Sequence, residues 1–507
     1  MALPLGDPAY EQLTALERAG CTEARVAVTQ PYDVRSIRWA LGAATRDDRC
    51  AGPLLDELMQ RFKKTPSDTG SSARAGAAAT LSATGLRNGE FFPLWENVRP
   101  AGQGDPSLVG IGNARVSWGE DDKLAVVVDG YVESNSRNDP LVRAKQFRRT
   151  TAVIDFGEAY VAGRALGVTL SLGREREAWL SDAFDGGESF MLGANGPPID
   201  RLAADFRTTH FEGHVLFGSL DDVVLTPEQD SINTSFGPQH YYRWLAGHEL
   251  TWRPSRVIEL SAGETALLSR AAQGIDLYYV NPFVPYIMTQ NDTGRTATEP
   301  RNNLTAFTAM RLHVGRATLG GQLLIDDIQI DATDRRVTPD QLGWDLMARA
   351  PLPIDRTSTV QLTYERVDSY TYQQPYYMEV WQYYNTPIGS ELGPDADYAH
   401  VDADVFVTPR VRFAGGLGEW RRGLQRIYER PAQGPVGHAG VPFPTTVPGE
   451  PVQTATLGYL SAQLLTVVLP VTARIDLARI RNVNNAPAPA ALYASLKLTA
   501  RYAFRYP

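Results

Sequence analysis

At 507 residues, 43% of them hydrophobic, the chain is long enough for several soluble domains or for one large barrel with an appendage. The net charge of -9 is spread along the chain with no long basic tract, which argues against nucleic acid as a partner. No apolar run approaches the roughly 18 residues that a membrane-spanning helix needs, so a helical membrane protein is excluded, whereas a β-barrel is not, because its strands need only alternate residues apolar.

Residues 1–5 lack the charged and apolar regions of an export leader, so a barrel reading expects a leader that was removed or lies upstream. Residues 7–65 read as helical. Asp7-Pro8 is an N-cap with proline at the first helical position, and Tyr10, Leu13, Leu16 and Ala19 follow at helical spacing up to Gly20. Gln30-Pro31-Tyr32-Asp33 opens a second helix carrying Val34, Ile37, Trp39 and Leu41, and Leu54, Leu55, Leu58, Met59 and Phe62 give a third apolar stripe. Three such helices are too small to hold a large core alone, so residues 1–65 should lean on a larger body. The only two cysteines, Cys21 and Cys50, lie here. An oxidising periplasm would allow them to pair, tying the first helix to the loop before the third; two unrelated thiols is the equal alternative. Within 66–107, the stretch to residue 90 is rich in Ser, Ala, Thr and Gly and reads as a linker or as a first strand of small residues.

From about residue 108 the period changes to two. Leu124, Val126, Val128 and Val132 alternate with Lys123, Asp129 and Glu133; Leu342, Trp344, Leu346 and Ala348 alternate with Asp345 and Arg349; Val360, Leu362 and Tyr364 alternate with Gln361, Thr363 and Glu365. At the C-terminus Leu496, Leu498, Ala500, Tyr502, Phe504 and Tyr506 share one face, and Lys497, Thr499, Arg501 and Arg505 the other. These segments are about ten residues long, the length of a tilted strand crossing a bilayer. A soluble sandwich shows similar alternation, but here it recurs through 108–507 with no second helical layer, and the chain ends on a strand suited to closing a barrel. The predicted fold is therefore an all-β transmembrane barrel of about 16–18 antiparallel strands with a small N-terminal α-helical domain. Long connections at 285–303, 385–400 and 431–452 suit one rim, and the 22 Tyr, 17 Phe and 9 Trp suit interfacial girdles.

Four phrases in order resemble the capsule assembly protein (Wzi) family of outer-membrane barrels. They are 173–179 with 188–192 and 194–200; Tyr279-Val280-Asn281-Pro282-Phe283-Val284-Pro285-Tyr286; residues 322–331 around Asp326-Asp327; and residues 386–397, Thr-Pro-Ile-Gly-Ser-Glu-Leu-Gly-Pro-Asp-Ala-Asp. The Gln30-Pro31-Tyr32 turn is similar too. The resemblance implies a barrel of about 18 strands, a helical segment plugging or covering the periplasmic mouth, and a role in holding capsular or other surface polysaccharide on the cell. Two phrases depart from the family: Leu180-Ser181-Asp182 follows Trp179, and Ser390-Glu391 stands where relatives tend to carry His-Pro.

Candidate polysaccharide-binding residues follow from chemistry. Asp326 and Asp327 are consecutive on a strand, point to opposite faces and belong at a rim, where a carboxylate binds sugar hydroxyls or sits as a solvated strand end. Asp395 and Asp397 share a side if extended and could hold Ca²⁺, but a turn in which Asp caps its own backbone is preferred. Tyr372, Tyr376, Tyr377 and Trp381 belong to an aromatic group, from Tyr364 to Tyr384, suited equally to sugar stacking and to a membrane girdle. Arg421 and Arg422, with Arg426 and Arg430 after Trp420, would form a basic ridge on a short helix, for uronate or phosphate or simply as a solvated face. Trp179 and Asn281 fall inside the family-like phrases, at lumen or rim positions or in structural roles.

No nucleophile elbow, phosphate-binding loop or zinc-spaced Cys pair is present, and His210 and His214 fall on a strand pattern instead of a helical metal motif. The expectation is a non-enzymatic barrel without cofactor or metal, monomeric, embedded in outer-membrane lipid and lipopolysaccharide and binding capsular or extracellular polysaccharide. A porin-like channel for sugars is the alternative, and a barrel-embedded hydrolase the third reading.

Overall fold

The computed structural model describes residues 7–19, 29–45, 52–63, 71–87, 107–120, 123–134, 152–180, 189–193, 197–226, 239–271, 277–291, 302–328, 339–354, 357–374, 377–384, 386–427 and 447–506, with residues 3, 21 and 26. Three helices open the chain: α1 (Pro8–Arg18), α2 (Val34–Ala44) and α3 (Pro53–Arg61). Asp7 caps α1 by accepting from the Ala9 N–H at 2.8 Å, and proline begins both α1 and α3, where no N–H is needed. Leu13, Leu16, Ile37, Leu41, Leu54 and Leu58 form their shared core, which is completed by Phe406 and Leu465 of the following barrel. Cys21 is buried there and disulfide-bonded; its expected partner, Cys50, lies outside the described residues.

Most of the other described residues form one closed barrel of 18 antiparallel strands, to which a short extra strand, Val223–Leu225, adds beside residues Gln239–Tyr241. In chain order they are β1 (Ser71–Arg87), β2 (Ser107–Glu120), β3 (Leu124–Glu133), β4 (Val153–Ala165), β5 (Val168–Glu175), β6 (Ile199–Arg207), β7 (Phe211–Ser219), β8 (Gln239–Trp252) and β9 (Ile258–Arg270). They continue with β10 (Asn302–Val314), β11 (Ala317–Asp327), β12 (Gln341–Pro351), β13 (Thr359–Val367), β14 (Ala396–Thr408), β15 (Val411–Arg422), β16 (Gln453–Leu464), β17 (Val471–Arg481) and β18 (Ala491–Tyr506). Each strand pairs with its neighbours in sequence, and β1 pairs with β18, Ala75 opposite Tyr506, so the sheet has no free edge. Of the two readings open for residues 66–90, Ser71–Arg87 is a strand, and the barrel begins ahead of residue 108.

The alternation in sequence becomes two surfaces. Leu124, Val126, Val128 and Val132 are exposed on the outer wall, whereas Ala125, Val127 and Glu133 are buried within. Leu170, Leu172, Leu250, Leu346, Leu362, Leu417, Leu460, Leu496 and Leu498 continue the outer apolar belt around the barrel. So broad an apolar belt is unfavourable in water, at about 25 cal/mol per Å², and is what a bilayer requires. Leu496, Leu498 and Tyr502 of β18 are exposed as the alternation predicts; the side chains of Phe504, Arg505 and Tyr506 lie outside the described residues. Trp344 and Tyr364, 5.2 Å apart on the outer wall, make one piece of an aromatic girdle.

The two rims differ. At one, connections are short: Leu166 and Gly167 join β4 to β5 with φ of 53° and 84°, the primed turn that matches strand twist. The helices close this mouth. Glu17 pairs with Arg311, Arg18 with Asp404, and Arg412 with Glu11 at 2.9 Å. In outer-membrane barrels the short-turn rim is periplasmic. The strand ends that the longer connections join lie at the opposite rim.

Candidate functional site

In the long-loop half of the lumen, described residues of two inward-folded connections pack together: 176–180, 189–193 and 197–198 of one, and 368–374, 377–384 and 386–395 of the other. Trp179, Phe190, Met191, Tyr372, Trp381 and Ile388 are buried in one apolar core that also takes in Trp420 from the wall. The Tyr372 hydroxyl donates to the Phe190 carbonyl at 2.7 Å, and the Gly193 N–H donates to the Ile388 carbonyl at 2.7 Å, tying one connection to the other.

Below this core, Ala178–Trp179 pairs antiparallel with Thr29–Gln30, so the inward loop meets the helical domain inside the barrel. Trp179 fits because residue 247 is glycine: a Cβ there would lie 2.6 Å from the indole. The indole N–H donates to Glu177 at 2.9 Å, and the ring meets His214 edge-on at 5.2 Å. Glu177 also pairs with His214 and, at 2.6 Å, with Arg201, which reaches Glu175 at 2.7 Å and Ser171 at 2.7 Å. Burial alone would raise the Glu177 carboxyl, but Arg201, His214 and the hydrogen bonds from His214 and Trp179 outweigh it and hold it down at about 2. A cavity of about 130 Å³ lies beside this network, lined by Gln30, Pro31, Glu175, Glu177, Arg201 and His214. Among the described residues no group of three His, Cys, Asp or Glu is placed to hold a metal ion.

The residues singled out in the sequence do not gather at one surface. Trp179, Tyr372 and Trp381 are wholly buried in the lumen core, out of reach of a polymer at the rim. Tyr377 is half-buried on a short 3₁₀ turn against Tyr241 and Met378, and Tyr376 lies outside the described residues. Asp326 and Asp327 do point opposite ways, but only Asp327 is at the rim; Asp326 faces inward, is buried and accepts from the Tyr372 N–H at 2.7 Å. Asp395 and Asp397 are not a cation pair. Asp395, at φ 61°, accepts from the Ser369 hydroxyl and from the Gly449 and Gln425 N–H groups, so it ties three distant segments together instead of capping its own turn. Asp397 instead faces the outer wall, where it pairs with Arg421 and accepts from Tyr364 at 3.2 Å.

Arg421 and Arg422 are on β15 and not on a helix, so they face opposite sides: Arg421 outward, Arg422 fully buried with its guanidinium 5.1 Å from the Trp420 ring. Asn281 is not in the lumen. Residues 277–291 fold back over the outside of the barrel, where Tyr279 and Tyr286 cover Ala246, Ala266, Leu268 and Leu304. The Asn281 side chain accepts from the Phe283 N–H at 3.1 Å and caps a turn of this strap. Beneath it the Tyr286 N–H donates to Glu264, a carboxylate on the outer wall that the strap screens from lipid.

The Glu177–Arg201–His214 network was not anticipated as a unit. Its members are visible in the Glu175-Arg176-Glu177 phrase and in His214, but they meet only because β5, β6 and β7 are neighbours.

No family model and no curated protein sequence matches the chain. Among solved structures it is similar to one titled as Wzi of Escherichia coli, an outer membrane protein involved in group 1 capsule assembly and a carbohydrate-binding β-barrel. The TM-score is 0.59 at 12% identity, over 96% of this chain and 97% of that one. It is also similar to OccD3 (OpdP) of Pseudomonas aeruginosa, with TM-score 0.48 at 10% identity over 88% of this chain and 95% of that one. OpdK of the same organism, solved with vanillate, gives TM-score 0.48 at 12% identity over 86% and 99%. At such identities the likeness is one of fold, and the fold is that of an outer-membrane β-barrel.

Proposed function

We propose that this protein is a Wzi-type barrel of the outer membrane that holds capsular or other surface polysaccharide at its long-loop rim, binding without covalent chemistry. One observation carries the reading: the lumen is occupied from both ends. Helices sit in the periplasmic mouth, and two connections pack a tryptophan- and tyrosine-rich core into the other half. That filling favours a fixed binding body over a diffusion channel. The likeness to a carbohydrate-binding barrel along nearly the whole chain points the same way. Of the residues first considered, Asp327, Tyr377 and Arg421 remain reachable for glycan or lipopolysaccharide contacts. The test has two arms. Deleting the gene should release polysaccharide into the medium, and the purified protein in planar bilayers should carry negligible current. Unchanged surface glycan removes the retention role; steady open-pore current replaces it with a channel.

A further inference from the structure

The helical domain leaves a cleft at the periplasmic mouth. Between α2 and the ends of β4, β6 and β8 lie two adjoining cavities of about 270 and 260 Å³ that share Trp39, Arg207 and Thr209. Together they reach the size of small-ligand pockets, about 300–1,000 Å³.

Trp39 falls in the apolar series of α2, yet it is 51% exposed, with the Arg207 guanidinium 5.0 Å from its ring. Its indole is thus offered to the cleft and not to the helical core. The first cavity is lined by Arg35, Ser36, Arg164, Arg207 and two threonines, with no carboxylate among the described residues. Arg35 and Arg164 make no ion pair among the described residues. The second cavity adds Arg253, Arg256, His210 and His313. Arg253 is held between two carboxylates, Glu259 and Glu212, each at 2.7 Å, so the charge offered to a ligand is chiefly that of Arg35 and Arg164. Like charges gathered in a concave site repel one another and concentrate a field that attracts anions. Planar guanidinium groups match carboxylates in two-point contact, and an open indole face suits the apolar side of a sugar ring.

We propose that this cleft binds a carboxylate-bearing saccharide from the periplasmic side, with Arg35 and Arg164 on the carboxylate and Trp39 against the ring. The site is separate from glycan retention at the long-loop rim, since it opens at the other end of the barrel. The single aromatic platform set beside the two guanidinium groups favours a sugar over an extended acidic peptide.

The full chain in detergent should bind oligogalacturonate, read by tryptophan fluorescence and calorimetry, and should bind a neutral galactose oligomer at least about tenfold more weakly. Arg35→Ala/Arg164→Ala should lower affinity for oligogalacturonate at least about tenfold, since hydrogen bonds to charged groups of this kind carry that much. Trp39→Ala should lower it as well, and Arg35→Lys/Arg164→Lys, which keeps charge but loses the fork, should fall between. Heat-modifiable gel mobility serves as the folding control, and the lysine pair gives the test if the alanine pair fails it. Soluble peptidoglycan fragments, whose stems carry carboxylates, distinguish a cell-wall source from a uronate polymer; binding by either one supports the site. Equal binding of neutral oligomer, no loss in both arginine pairs, or polyglutamate binding that ignores Trp39→Ala would overturn it. Surface glycan left unchanged by deleting the gene, with cleft binding intact in the purified chain, would sink the rim reading alone.

Discussion

The barrel is stoppered at both ends, and the two stoppers are made differently. The one at the short-turn rim is a helical unit whose small core is completed by Phe406 and Leu465 of the wall, and which is fastened there by the buried Glu17–Arg311 pair and by Arg18–Asp404, Arg412–Glu11 and the more exposed Arg410–Glu57. The other is made of the connections themselves, and its centre is apolar, with Trp179, Trp381 and Trp420 together and buried. Apolar burial is not weakened by charge screening, whereas exposed ion pairs weaken as ionic strength rises. The difference predicts that the helical unit, whose outer fastenings are exposed ion pairs, loosens before the barrel wall does. The loop plug belongs to the folding core.

The largest effect should follow from Trp381→Ala. Removing a wholly buried indole from the loop plug should cost about 3–5 kcal/mol, seen as a lower unfolding midpoint in detergent. Bilayer recordings should then show transient openings that the parent lacks. A variant as stable and as silent as the parent would mean that the long-loop stopper is not held by its apolar centre.

Glu177→Gln probes the junction between the stoppers. Its carboxylate is buried against Arg201 and His214, so neutralising it strands their charge at a cost of about 3 kcal/mol. Because this carboxyl is held at about 2 in the folded state, its contribution is complete above the ordinary carboxylate pKa near 4.5 and is lost as pH falls through about 2. Acid titration of stability should therefore be steeper in the parent than in the variant over that window. Equal slopes would show that Glu177 does not bind its proton differently on folding.

What was legible in the sequence was whatever depends on period alone. Leu124, Val126 and Val128 declared an outer face because every second residue is apolar, and Asp7-Pro8 declared a helix start because its capping chemistry is local. Direction across the wall was not legible where the pattern breaks. Tyr372 and Trp381 have the composition of a sugar platform and equally that of a buried plug, and only their burial in the lumen core decides between them. Arg421 and Arg422 resembled a helical ridge because basic residues recur four apart, but β15 runs through Arg422 and splits them across the wall. The mouth cleft left no local trace at all, because Arg35, Arg164, Arg207 and Arg256 come from four elements that only the barrel's closure brings to one place.

The smallest effect should come from the outermost fastening, Arg410 to Glu57 at 2.9 Å, in which the arginine side chain is 61% exposed. An ion pair so open to water is worth about 0.2–1 kcal/mol and is screened by salt. Glu57→Ala should leave the unfolding midpoint of the barrel unchanged within error while raising the rate at which protease cuts the helical segment, and the difference from the parent should shrink in high salt. Here the separability of the two stoppers is tested directly. A fall in barrel stability as large as that of Trp381→Ala would show that helices and wall unfold as one unit, and that the ion pairs at the mouth hold more than a detachable lid.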